Sequence, residues 1–143
     1  RDEVSGMRMW TWAKERYHTP ARFFRQFFVY NYCPLMFLES SARNRTPDKL
    51  ASDQRDAIHR ACDAAFLSLV DLLAPAMVIG VGSFAEKRAL SCLADRRIEV
   101  GRILHPSPAS PAANRDWCGT VTKQFNEYGI SIPGSGSSSR RDR

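Results

Sequence analysis

Paired cysteines are missing from this chain. Cys33, Cys62, Cys92 and Cys118 are its four cysteines, far apart and without a CxxC pair. That spacing argues against a zinc site and against a cysteine-ligated iron–sulfur cluster. Long apolar runs are missing too. None approaches the ~20 residues of a membrane-spanning helix, and no membrane partner is expected. No secretory leader is recognisable, which disfavours two structural disulfides; reduced thiols in a cytoplasm or nucleus fit better. No internal repeat is present, which excludes a repeat architecture. Methionine is absent from the first position, where Arg1 stands, so a fragment or a processed product is expected.

What is present suits one globular domain. The chain has 143 residues, 43% hydrophobic and 25% charged. Its formal charge of +6 favours anionic partners. Part of that excess sits in the tail, where Arg140, Arg141 and Arg143 face a single Asp142. What remains suits DNA but is shared by many proteins that bind none.

The pattern along the chain alternates helices with short apolar strands. Ser5 is expected to cap a helix over 6–17 that buries Met9, Trp10, Ala13 and Tyr17. Thr19-Pro20 is a second helix start. Phe27 to Tyr32, aromatic and β-branched and ended by Cys33-Pro34, reads as a strand. The polar, basic stretch 39–47 reads as a loop. Thr46-Pro47-Asp48 then opens a helix to about Leu73, with Ile58, Ala61, Cys62, Ala65, Leu69, Leu72 and Leu73 at helical spacing. On that apolar face Cys62 is expected to be a reduced core thiol. Pro75 breaks the helix. Met77-Val78-Ile79 is a short buried strand, 84–94 a helix, Ile98 to Leu104 a third strand, and Ser110-Pro111 the start of a last helix to about Tyr128. Residues 1–133 form the domain, and the Gly/Ser/Arg tail, 134–143, is expected to be disordered. The order predicts an α/β fold, a parallel sheet with helices on both faces, and ligands on such sheets bind at the carboxyl ends of the strands.

Three segments follow those strand ends. His105 heads His-Pro-Ser-Pro, where two prolines stiffen the backbone and the Ser110-Pro111 helix start offers free N–H groups to an anion. A lone histidine is often structural, but this placement favours a chemical role. Asn31 stands in an aromatic run, where an amide must satisfy both its ends. A neighbouring backbone can do so, or a ligand can; side by side, one donor and one acceptor match a base edge. Gly80-Val81-Gly82 with Ala85 fits a GxGxxA dinucleotide fingerprint, but the acidic residue expected about 20 positions on would be Glu99, at the wrong end of its strand. Close helix–strand packing explains the glycines more simply. Arg43, Arg45, Lys49 and Arg55 form a basic run, either a solvated face or a clamp on a phosphate backbone.

Taken together, the blocks Asn31-Tyr32-Cys33-Pro34-Leu35, Val78-Ile79-Gly80-Val81-Gly82 and Leu104-His105-Pro106-Ser107-Pro108, with Pro111-Ala112-Ala113-Asn114 and Trp117 beyond, resemble the single-strand-selective monofunctional uracil-DNA glycosylases. The resemblance covers about residues 3–132. It implies a three-layer α/β glycosylase fold and excision of uracil, with 5-substituted uracils such as 5-hydroxymethyluracil, from DNA as the first step of base-excision repair. It implies that Asn31 reads the Watson–Crick edge of a flipped-out uracil and that His105 hydrogen-bonds the pyrimidine O2 as the glycosidic bond breaks. By the same resemblance Arg43, Asn44, Arg45, Lys49, Gly82, Ser107, Pro108, Ala109, Ser110 and Asn114 face DNA. The resemblance implies no metal and no cofactor, and a monomer in the nucleus is expected. Two departures stand out. The family's Gly-Met-Asn-Pro-Gly-Pro motif, which brings the water-positioning asparagine, a base-stacking phenylalanine and a central strand, has no counterpart here. Ala109 replaces the arginine often found in the loop that fills the gap left by the flipped base. A non-catalytic DNA-binding fragment or pseudoenzyme is the alternative.

Overall fold

The structure, a computed structural model, describes residues 3–41, 44–45 and 50–134. Helices α1 (Val4–Tyr17) and α2 (Pro20–Phe24) come first, then a two-residue pairing of β1 (Phe37–Leu38) with β2 (Asn44–Arg45). The long α3 (Ser52–Leu73), β3 (Met77–Val81), α4 (Ser83–Cys92), β4 (Glu99–Ile103) and α5 (Pro111–Glu127) follow.

Local signals set most of these bounds. Thr19 accepts a hydrogen bond from the backbone N–H of Arg22, and Pro20 opens α2. Ser110 does the same for Ala113 ahead of Pro111 in α5. Helix α3 stops at Ala74, which takes a left-handed φ of 43° just before Pro75. The first helix departs from expectation. Its N-cap is Glu3 without a side-chain cap, and Ser5 lies inside it. Trp12, only 3% exposed, takes the core position expected of Trp10, which is 46% exposed. Two residues apart on a helix means about 200° of rotation, so one indole must face outward. Trp12 wins because its Nε1–H finds Thr122 Oγ1 at 3.0 Å and its ring stacks on Phe125.

Strands β3 and β4 run parallel, with Ile79 opposite Gly101 and Gly80 opposite Arg102, and α4 crosses between them. One face of the pair meets α5 and α1. There Ile79, Val81 and Ile103 join Trp12, Tyr17, Trp117, Val121 and Phe125 in one apolar cluster. Truncating a buried tryptophan of this kind costs ~3–5 kcal/mol. The other face carries α4, close enough that a Cβ on Gly80 would collide with the backbone of Glu86. That contact is the physical reason for the first glycine of Gly80-Val81-Gly82.

The expected strand over 27–32 is not formed; these residues are irregular. The parallel sheet therefore has two strands, not three. A strand needs a ladder partner, and among the described residues no backbone hydrogen bond joins 28–32 to β3. Instead an apolar cleft of about 560 Å³ opens, lined by Phe27, Val29 and Tyr30 and by Val78, Ile79 and Val81 of β3. The outward edge of β4 is closed by another device. The Tyr128 hydroxyl accepts from the N–H of Arg102 at 2.9 Å and donates to its carbonyl at 3.2 Å. Gln124 Oε1 takes the N–H of Leu104 at 2.8 Å, and Trp117 Nε1–H donates to the Leu104 carbonyl at 2.7 Å.

The apolar face of α3 is only partly covered. Cys62 is buried as expected, together with Val70, but Leu72 is 80% exposed. The opening of that helix expected at 46–48, and the tail 135–143, lie outside the described residues.

Candidate active site

The carboxyl end of β4 delivers His105 into a loop held on every side. Both backbone groups of Leu104 are taken by α5, as above, so the residue before His105 cannot slide. Within the loop, the N–H of Ser107 donates to His105 Nδ1 at 3.1 Å. An acceptor role at Nδ1 places the proton of the neutral ring on Nε2. The exposed ring thus presents Nε2–H as a donor. The second glycine of Gly80-Val81-Gly82 sits against this ring. Gly82 has φ +87°, and a Cβ there would stand 3.0 Å from His105 Cβ and 3.1 Å from its Cδ2. Gly82 N–H also donates to the Ile103 carbonyl at 2.9 Å, joining the ends of the two strands.

The loop beyond His105 is built from its own polar groups. Ser107 Oγ accepts from the N–H of Ala109 at 3.2 Å, and the Ser107 carbonyl accepts from Ser110 N–H at 3.0 Å. Asn114 Nδ2 donates to the Pro108 carbonyl at 2.8 Å. From α1, Arg8 reaches across to donate to the Pro106 carbonyl at 3.1 Å and to Asn114 Oδ1 at 2.8 Å. The side chains of Ser107, Ser110 and Asn114 therefore shape the loop, and Pro108 and Ala109 stand exposed on it.

Asn31 lies exposed in the irregular segment after Phe27, not at the end of a strand. Its neighbour Tyr32 is anchored. The Tyr32 hydroxyl donates to Asp63 Oδ1 at 2.6 Å and accepts from Arg88 Nε at 3.1 Å. Arg88 and Asp63 form an ion pair between α4 and α3, each side chain 25% exposed. Burial works to raise the Asp63 carboxyl, but the hydrogen bonds from Arg88, Tyr32 and Cys92 outweigh it and hold it below the ordinary carboxylate range. The Tyr32 hydroxyl is pushed above its usual value, first by burial and then by Asp63. The Tyr32 ring packs at 5.7 Å against Phe84, two residues past Gly82.

Gly82 and His105 thus touch, and the residue after Asn31 packs against the start of the same helix. Glu99 sits exposed at the first position of β4, away from the Gly80–Gly82 turn. Arg43 and Lys49 lie outside the described residues, and of Asn44 and Arg45 only the backbone pairing with Leu38 and Phe37 is described. Among the described residues no three His, Cys, Asp or Glu side chains converge as metal ligands, and no helix is long and apolar enough to cross a membrane. Sequence reading missed Arg8, Gln124, Asp63 and Arg88. Each is a polar residue on a helix surface, with no local signal marking its distant partner.

No family model matches the chain. Curated proteins do. The chain is 42% identical over 132 residues to single-strand selective monofunctional uracil-DNA glycosylases of Bos taurus, Mus musculus and Rattus norvegicus. Those residues are 91% of this chain, which spans about half the length of these relatives: 48% of the bovine, 47% of the mouse and 48% of the rat protein. Over nine-tenths of its length the chain is thus similar to about half of these single-strand selective monofunctional uracil-DNA glycosylases.

Proposed function

We propose that this chain carries the base-contacting part of a DNA-repair glycosylase that hydrolyses the N-glycosidic bond of uracil, and of 5-substituted uracils such as 5-hydroxymethyluracil. The observation that carries this reading is the exposed His105, whose Nδ1 accepts from the Ser107 N–H and so leaves Nε2–H as a free donor. Uracil leaves as an anion. A fixed donor waiting where that charge develops lowers the barrier without reorganising, and losing one such donor costs ~2.7–4 kcal/mol. Asn31 supplies the donor and acceptor that suit the uracil edge, where cytosine reverses them; such a bidentate contact is worth ~1–3 kcal/mol of discrimination. The base leaves the stack first, at a cost of a few kcal/mol that is smaller in single strands. DNA is the partner, the protein works as a monomer, and its place is the nucleus. The chemistry calls for no metal or cofactor.

Since the relatives are about twice as long, this reading takes the rest of a three-layer domain from sequence outside these 143 residues. The closed edge of β4 and the open cleft beside β3 support this reading. An added strand can pair only where ladder groups are free, so it enters between β3 and the segment 27–32. It brings a ladder partner for that aromatic run, covers Phe27 and Ile79, and carries the water-positioning asparagine that this chain lacks. Residues 1–143 alone should then release no uracil and should melt without a sharp transition; cooperative unfolding with normal excision would refute the missing-strand reading.

The decisive experiment for His105 uses a full-length protein carrying this sequence. His105→Ala should slow single-turnover release of uracil by ~10²–10³ with little change in DNA affinity. Equal losses of rate and affinity would instead mark His105 as structural.

A further inference from the structure

A residue that reads a base must be held to roughly 0.5 Å and 10–20°. Asn31 sits in a stretch with no helix or strand to hold it, and an unrestrained residue must lose conformational entropy before it can do so. The structure supplies a restraint one residue further on. Tyr32 lies between three fixed groups: Asp63 on α3, Arg88 on α4, and the ring of Phe84 on the first turn of α4. Its hydroxyl uses both of its roles, donating to the carboxylate and accepting from the guanidinium, while the Arg88 carbon Cζ stands 5.7 Å from the ring centre. The Asp63–Arg88 pair is partly buried and shares its charge with Tyr32, so the three behave as one network. Helix α4 has a second duty. Its N-cap is Gly82, packed against the His105 ring. One helix therefore touches His105 through its start and the neighbour of Asn31 through Arg88 and Phe84.

We propose that Asp63 and Arg88 are positioning residues, which hold Tyr32 against α4 and thereby set the Asn31 amide in fixed relation to His105. The inference deepens the glycosylase reading and rests on Asn31 as the base-contacting residue. It gives the ion pair a task beyond joining two helices. A plain helix–helix link needs no tyrosine, whereas here the hydroxyl of an otherwise irregular segment is the third member.

The test is a double-mutant cycle in a full-length protein carrying this sequence. Tyr32→Phe keeps the ring and the ion pair and removes only the hydroxyl. Single-turnover release from single-stranded oligonucleotides is measured with uracil and with cytosine as the target, and Tm is followed for each variant. Tyr32→Phe should slow uracil release about tenfold and narrow the uracil-over-cytosine ratio. In an Asn31→Ala background the same change should cost less than about twofold, because its effect passes through the amide already removed. Asp63→Asn should behave alike. If Asn31→Ala is severe and Tyr32→Phe adds its full loss on top, the positioning role is overturned while the base-reading role stands. If Asn31→Ala leaves rate and discrimination unchanged, the base-reading role fails, and the positioning role falls with it.

Discussion

Gly82→Ala is a perturbation whose consequences can be worked from coordinates. Gly82 has φ 87° and ψ 169°, a region open almost only to glycine. A side chain there costs about 1–3 kcal/mol in backbone strain. The added methyl would also stand 3.0 Å from His105 Cβ and 3.1 Å from Cδ2, closer than the ~3.5–4.0 Å at which carbons rest. The His105 ring must yield by about half an ångström, and a misplacement of ~1 Å at a reacting centre can cost ~10² in rate. About tenfold slower single-turnover excision is therefore expected, with ~1–3 kcal/mol lost in denaturant unfolding. Gly101→Ala is the control. Its Cβ would crowd the Met77 side chain and the Tyr128 ring, away from α4 and His105, so it should destabilise without the specific rate loss when both variants are assayed well below their Tm. An unchanged rate in Gly82→Ala, or equal rate losses in the two variants, would show that the glycine does not set the position of His105.

Arg8→Ala should free the Pro106 carbonyl and Asn114 Oδ1 and cost ~1–3 kcal/mol in unfolding experiments, with slower excision; stability and rate both unchanged would remove Arg8 from the loop's support. Asn31→Asp leaves only acceptors at the base edge and should shrink the uracil-over-cytosine ratio at least severalfold, measured by excision from paired substrates. Arg43→Glu with Arg45→Glu should flatten the salt dependence of DNA binding by ~0.7–0.9 log units for each phosphate no longer neutralised, and an unchanged slope would return both to a solvated face. The folded Asp63 carboxyl titrates below its unfolded value of ~3.9. Its stabilisation is thus complete above that value and fades as the pH falls through the lower folded one. Asp63→Asn should flatten this acid limb in urea titrations, and an unaltered limb would show that the pair carries no such linkage.

Much of the α/β order was readable because the signals are local. Pro75 and the Ser110-Pro111 cap act through neighbouring backbone, and Met77 to Val81 is apolar enough to be a buried strand in any setting. Trp10 and Trp12 point to nearly opposite sides of α1, and nothing in the helix itself says which indole faces the core; Thr122 and Phe125, more than a hundred positions on, decide it. The same holds in the site. His105 and Gly82 announce themselves by strand-end position and glycine spacing. Arg8 is separated from Pro106 by 98 residues and looks like any helix-surface arginine.

The segment 27–32 shows why a correct propensity can yield an unformed element. Its aromatic and β-branched residues suit a pleated, half-buried surface, and such preference is realised only against cross-strand neighbours. Phe28 here is 62% exposed while Phe27 packs into the core, the alternation of a strand with one face served and the ladder unmade. The β4 edge cannot serve as that ladder, because Tyr128, Gln124 and Trp117 already hold its outward groups. The β3 edge faces the cleft across from 27–32, and its apolar wall runs the length of both. A fourth strand laid in that cleft would pair with two partners at once, and it would fix Asn31 from the side opposite Tyr32. Base reading and fold completion would then depend on the same few backbone hydrogen bonds, which is why the isolated chain should lose both together.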